Sequence, residues 1–295
     1  QSLFGRASLP GPSILTGFVP EVGFGNGWFA SLRWPANKRE RDVIFDPFLS
    51  PRSIICSGLS KLCFPLRERR LPYIGKFWSG CASAMKRGLE ILGIGIIDID
   101  SRDCMMLRAE QTPDKAYMEK QGEDYNLVDW YLDVLRKYRD KLLGITRYIV
   151  ADAWFSKAKF VGEACLLGFH VISRLRDDAA LWYSHNGVRT GKRGRPRIKG
   201  EKIDFERLDL QHCEILDIEG GRAYSVKAYS KAMKRNIKVV VHYPESGGHK
   251  IYFSTDLDMP AKDIIEYYRT RFQIEFCFRD SKQFTGLNDL SLIHI

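Results

Sequence analysis

The sequence predicts an α/β domain in which a strand-and-helix core is interrupted by a mostly β insertion and completed by a long final helix. Three observations carry this. Between residues 88 and 167 the hydrophobic pattern passes from strand to helix to strand to helix. From 174 to 256 only short alternating runs occur, separated by Gly, Asn and charged turns. At Pro260 a helical period returns and lasts to about Phe284.

Residues 1–40 are Gly- and Pro-rich with isolated aromatics and no period, which reads as a linker or the remnant of a preceding domain. The core begins at 41 and runs to 173. Asp42-Val-Ile-Phe-Asp46 is a short β-prone stretch ending in a carboxylate before Pro47. Over 51–72 Cys, Ser, Pro and Arg alternate without a strand or helix period, so this segment is expected to be irregular. Gly88 to Asp100 reads as an Ile-rich strand and Cys104 to Ala109 as its antiparallel neighbour. Leu127 to Leu143 has apolar residues at 127, 128, 131, 132, 135 and 142, which is helical spacing. Arg147 to Asp152 is a buried strand, followed by a helix that Ser156 is placed to cap. The insertion, 174–256, contains a basic loop at 186–202. The final segment, 257–289, is one long helix with Pro260 in its first turn and Gly286 at its stop.

The composition excludes several classes. Apolar residues make up 44% of the chain, and charges interrupt every apolar run before the roughly 18 residues that a membrane span needs. No basic, apolar, small-residue succession marks a secretory leader. The cysteines at 56, 63, 81, 104, 165, 213 and 277 never form CxxC, so reduced thiols in the cytoplasm are expected. There is no HExxH, which excludes the zinc hydrolases that use it. A net charge of +10 suits a polyanionic partner.

The chemistry-bearing residues concentrate in the final helix. At 100° per residue Tyr268, Arg271, Glu275, Arg279 and Lys282 fall within an arc of about 80°, while Ile264, Ile265, Phe272 and Phe276 supply an apolar face. A solvated face would account for such a stripe in an arbitrary helix, where an Arg–Glu pair four apart is worth about 0.3–0.5 kcal/mol. The spacing Y-x2-R-x3-E-x6-K is more particular. It resembles the Y-R-E-K helix of the DDE transposases of the IS4 insertion-sequence group. The resemblance extends through Ile149-Val-Ala-Asp-Ala-Trp-Phe-Ser156, Gly75-Lys-Phe-Trp-Ser-Gly80, Lys86-Arg-Gly-Leu-Glu90 and Gln283-Phe-Thr-Gly-Leu-Asn-Asp289, and so covers residues 76 to 289.

That resemblance implies an RNase H-like catalytic core with the insertion placed before the helix of the catalytic Glu. It implies Asp152 and Glu275 as catalytic acids and ligands of Mg²⁺ or Mn²⁺. It also implies Tyr268, Arg271 and Lys282 as residues that hold phosphates of the transposon end. The partners it implies are double-stranded DNA, as terminal repeats and target, and a second copy of the chain in the DNA complex. Displacement at phosphorus builds charge on the attacking and leaving oxygens, and a pair of hard cations held by carboxylates meets that need without His or Cys. The first acid is less plain. Asp46 ends a β-prone stretch and is followed by Pro47 as in the family, but about fourteen extra residues separate it from Lys76. Asp98 or Asp100 is the alternative.

Lys192-Arg-Gly-Arg-Pro-Arg-Ile-Lys199 resembles the core of an AT-hook, which assigns Arg193, Arg195 and Arg197 to DNA, either in a narrow minor groove or by charge alone. Two rivals to the transposase reading remain: an RNase H-like nuclease that cuts without joining, and a DNA-binding relic that does not cut. The relic reading has its own sequence signal. Leu66-Arg-Glu-Arg-Arg-Leu-Pro72 can be encoded by DNA whose shifted frame reads Ser-Gly-Lys-Lys-Thr-Pro, the family-like stretch expected before Gly75. This points to a frame-disrupted and inactive copy, and residues 290–295 leave the family pattern as well.

Overall fold

The computed structural model describes residues 52–62, 75–79, 83–185 and 199–284. Asp46, Arg193, Arg195, Arg197 and the segments 1–40 and 290–295 lie outside the described residues.

Twelve strands among the described residues join one sheet: β1 (Ser53–Leu62), β2 (Gly75–Ser79), β3 (Ala84–Asp98), β4 (Cys104–Gln111), β5 (Tyr148–Ala151), β6 (His170–Leu175), β7 (Leu181–Ser184), β8 (Lys199–Lys202), β9 (Glu214–Ile218), β10 (Gly221–Ser230), β11 (Arg235–Pro244) and β12 (Lys250–Ser254). The order is β2-β3-β1-β5-β6-β12-β11-β10-β7-β8, with β4 on the free side of β3 and β9 on β10. β1 is antiparallel to β3 and parallel to β5, and β5 is parallel to β6. The strands expected as an insertion extend this sheet, joining it where β12 pairs antiparallel with β6.

Five α-helices among the described residues accompany it: α1 (Lys115–Gln121), α2 (Leu127–Leu143), α3 (Ala158–Leu166), α4 (Ala261–Thr270) and α5 (Gln273–Phe284). α2 has the bounds its periodicity predicts. Asn126 accepts from the Val128 amide, Asp129 closes a capping box onto the Asn126 amide, and Gly144 ends the helix. Successive strand residues point to opposite faces, so Ile54 and Ile55, Val150 and Ile149, and Ile172 and Val171 split between two cores. Leu132, Leu142, Val161 and Ala164 of α2 and α3 cover one face; Ile264 and Ile265 of α4 and Ile274 and Phe278 of α5 cover the other. β5, Tyr148-Ile-Val-Ala151, reads as an unbroken apolar run because a central parallel strand is buried on both sides.

Three expectations need correction. Part of the segment expected to be irregular, Ser53–Leu62, is a central strand. Its adjacent isoleucines serve opposite cores, and no period-2 alternation advertises it. The final helix is broken. Thr270 Oγ1 donates to the carbonyls of Tyr267 (2.9 Å) and Glu266 (3.2 Å), and the amides of Phe272, Ile274 and Glu275 bond three residues back rather than four. The break rotates the following turn. Ile274 and Phe278 enter the core where Phe272 and Phe276 were expected, and Phe272 is left half exposed. Ser156 does not cap α3: its hydroxyl donates to the Ala153 carbonyl, and the helix starts after Lys157.

Candidate active site

Asp152 follows the last residue of β5, where the chain leaves the sheet in extended conformation and enters the 3₁₀ turn Ala153–Phe155. Ser173 Oγ on β6 donates to the Asp152 carbonyl at 3.1 Å and fixes the exit, leaving the carboxylate half exposed. Glu275 stands in the first turn of α5 and is also half exposed. α5 reaches this place because Phe278 and Ile274 seat it on glycines of β3. A β-carbon at Gly93 would lie 2.4 Å from Phe278 Cζ, and one at Gly95 would lie 3.5 Å from Ile274 Cδ1.

Arg271 sits in the break between α4 and α5 with its side chain mostly buried. Its Nη2 lies 3.2 Å from Glu275 Oε1 and 3.9 Å from Asp152 Oδ1. The two acids, 123 positions apart in the chain, therefore share one guanidinium and lie no farther apart than the sum of those distances. The Arg271 guanidinium carbon is 5.7 Å from the centre of the Tyr268 ring, and Tyr268 packs on Tyr252 at 5.2 Å. Burial pushes the Tyr268 hydroxyl above its usual range, against the opposing charge of Arg271. The structure thus brings Asp152, Tyr268, Arg271 and Glu275 to one edge. Lys282 lies two turns further along α5. Arg279 leaves the stripe: it covers the Phe276 ring and pairs with Asp280 at 3.0 Å.

Asp98 and Asp100 do not reach this edge. Asp98 pairs with Ser53, at the end of β1 that lies away from Asp152, and its carboxylate accepts from the amides of Asp100 and Ser101 to build a turn. Asp100 is held by Arg52 at 2.9 Å.

Arg174, beside the site, and Lys157, on the turn that follows Asp152, carry no mark in the sequence. Arg174 of β6 follows the pairing of Val150 with Ile172 by two residues, which sets it beside Asp152. It pairs with Asp177 at 2.9 Å and lies close enough to influence Tyr268. Lys157 rests over the Trp154 ring at 3.5 Å, and burial pushes its ammonium below the usual lysine range. No sequence motif marks Arg174, because strand register alone puts it next to the acid.

Among the described residues no group of three or more His, Cys, Asp or Glu side chains is arranged to hold a metal ion. Two carboxylates that already share Arg271 do not make up a cradle for a pair of divalent cations.

The family model for the transposase DDE domain matches residues 99–293, a span that holds Asp152, Tyr268, Arg271, Glu275 and Lys282 and leaves out Asp46. No curated protein matches the chain. With the match covering more than half of its length, this chain belongs to the family of transposase DDE domains.

Proposed function

We propose that the chain is a DNA transposase of the IS4 type, and that the edge formed by Asp152, Arg271 and Glu275 is where it meets the phosphodiester backbone of a transposon end. The convergence of those two acids on one arginine, from positions 123 residues apart within the family match, is the observation that carries this reading. Arg271 is a planar fork with several N–H donors, a shape that matches the oxygens of a phosphate as well as those of a carboxylate. Tyr268 stiffens the fork from below through its ring and adds a hydroxyl. Arg174 adds positive charge beside Asp152, and Lys282 and the arginines at 193, 195 and 197 are assigned to the same contact with DNA by sequence alone. The duplex is held as terminal repeat or target, with a second copy of the chain on the other end. Cleavage and joining of strands in such a protein call on Mg²⁺ or Mn²⁺ at the acids. The described residues do not complete that site, so the function rests here on the grip on DNA.

The test is equilibrium binding of a fluorescent duplex between 50 and 200 mM salt. Arg271→Ala is expected to weaken binding about tenfold and to lower the log–log salt slope by about 0.9, one phosphate contact. A chain that binds no DNA, or an Arg271→Ala variant with the parent's slope, would refute the reading.

A further inference from the structure

Resting on that reading, we infer that the third acid this site needs belongs at residue 58, and that the glycine there leaves the chain able to bind DNA but not to load the cations that cut it. β1 runs parallel to β5 with Ile55 opposite Ile149, Cys56 opposite Val150 and Ser57 opposite Ala151. One step further, position 58 stands beside Asp152. Faces follow from the same register. Ile55, Ile149 and Ala151 belong to the core under α2 and α3, while Ile54 and Val150 belong to the core under α4 and α5. Positions 56 and 58 therefore lie on the face that carries Arg271 and Glu275. On its other side position 58 pairs with Gly93, the residue on which Phe278 seats α5, one turn beyond Glu275. Position 58 thus lies between the strand of Asp152 and the helix of Glu275. The whole of β1, Ser53-Ile-Ile-Cys-Ser-Gly-Leu-Ser-Lys-Leu62, contains no Asp or Glu.

The electrostatics agree. With two carboxylates and no third among the described residues, Arg271 satisfies Glu275 directly and Asp152 at longer range, so a divalent cation entering there meets a resident guanidinium. Two acids offset by one cation leave about one negative charge, too little to draw two dications from water. The other acids of this region are spent elsewhere: Asp98 ties a turn roughly 16 Å down the strand, and Asp100, Asp263 and Glu266 gather around Arg52.

The test is a Mn²⁺ titration followed by electron paramagnetic resonance, on full-length chain, with duplex binding and nicking of supercoiled plasmid measured on the same samples. The parent chain is expected to bind DNA, to bind Mn²⁺ no better than its Glu275→Gln variant, and to leave the plasmid intact. Gly58→Asp is expected to bind Mn²⁺ at least about tenfold more tightly than the parent, whereas Ser57→Asp, on the opposite face, gains nothing. Parent chain whose Mn²⁺ binding is lost in Glu275→Gln overturns the inference, and if Asp46→Asn loses it too, Asp46 is the third acid. A Gly58→Asp variant that binds DNA normally yet gains no Mn²⁺ overturns it as well. If Gly58→Asp fails to fold, the comparison of parent with Glu275→Gln decides alone. Absence of DNA binding in the parent strikes at the transposase reading instead.

Discussion

Replacing Gly93 with alanine inserts a methyl group where helix α5 rests on the sheet. The new β-carbon falls 2.4 Å from Phe278 Cζ, against the 3.4 Å at which ordinary contact begins, so about 1 Å of room must be found. Met106 also approaches, with Sδ and Cε at 3.1 Å, but its side chain has rotamers to spare. Phe278 has none: it is 6% exposed and packed among the same core residues as Ile274. Overpacking of this size costs about 1–3 kcal/mol, and in a chain of this length each kcal/mol lowers Tm by about 2–4 °C. The clash involves the far atom of the ring, so Phe278→Leu, which lacks that atom, relieves it. Urea unfolding of the parent, both single variants and the double variant then closes a cycle. The double variant is expected to be more stable than the sum of the singles predicts by about 1 kcal/mol or more. Additivity within about 0.5 kcal/mol would show that α5 does not rest on Gly93, and the placement of Glu275 would lose its support.

Other outcomes follow from the same structure. Tyr131 donates to buried Glu90 at 2.9 Å, so Tyr131→Phe is expected to lower unfolding stability by about 1.5–3 kcal/mol in urea, and a neutral result would place water on that carboxylate. Burial, reinforced by a hydrogen bond to Asp256, pushes Tyr148 up to about 12, and burial first does the same for Tyr243. Both lie above the unfolded value near 10, so their contribution is whole below pH 10 and is lost as pH rises toward 12. Tm should fall over that window, and less steeply in Tyr148→Phe. Removing Arg193, Arg195 and Arg197 together should weaken DNA binding and lower its salt slope by about 0.9 per lost phosphate contact, with A·T-rich duplexes affected most if a minor groove is read. Codons over Leu66 to Pro72, outside the described residues, should yield Ser-Gly-Lys-Lys-Thr-Pro in the shifted frame; codons that cannot do so remove the frame-slip explanation.

Legibility in the sequence followed how local each signal was. α2 shows its full extent because its cap, its period and its closing glycine all lie within its own residues. The pairing of Asp152 with Glu275 was legible only through the spacing in the final helix, and the structure adds the arginine they share. β1 was invisible because a strand flanked by two others hides both faces and shows no alternation. The break at Arg271 was equally hidden, since Thr270 is an ordinary helix residue until its hydroxyl takes two carbonyls. Arg174 gains its place from strand order, which no window of sequence contains.

The sheet is built from the middle outward in space but not in time. β1, an early described strand, is covered on one face by α5, the last described helix, and Arg52 before β1 is tied to Asp263 and Glu266 of α4. During synthesis at about 5–20 residues per second, roughly 10–45 s separate the emergence of Ile54 from that of Phe278. Until α5 is made, Ile54, and Ile97 and Val150 once they follow it, lack its cover on one side, and the nascent chain presents a sticky apolar surface to whatever is nearby. A ribosome that stalls or a message that ends before codon 273 therefore releases not a smaller domain but a chaperone client, and the cell would meet this protein first as a solubility problem.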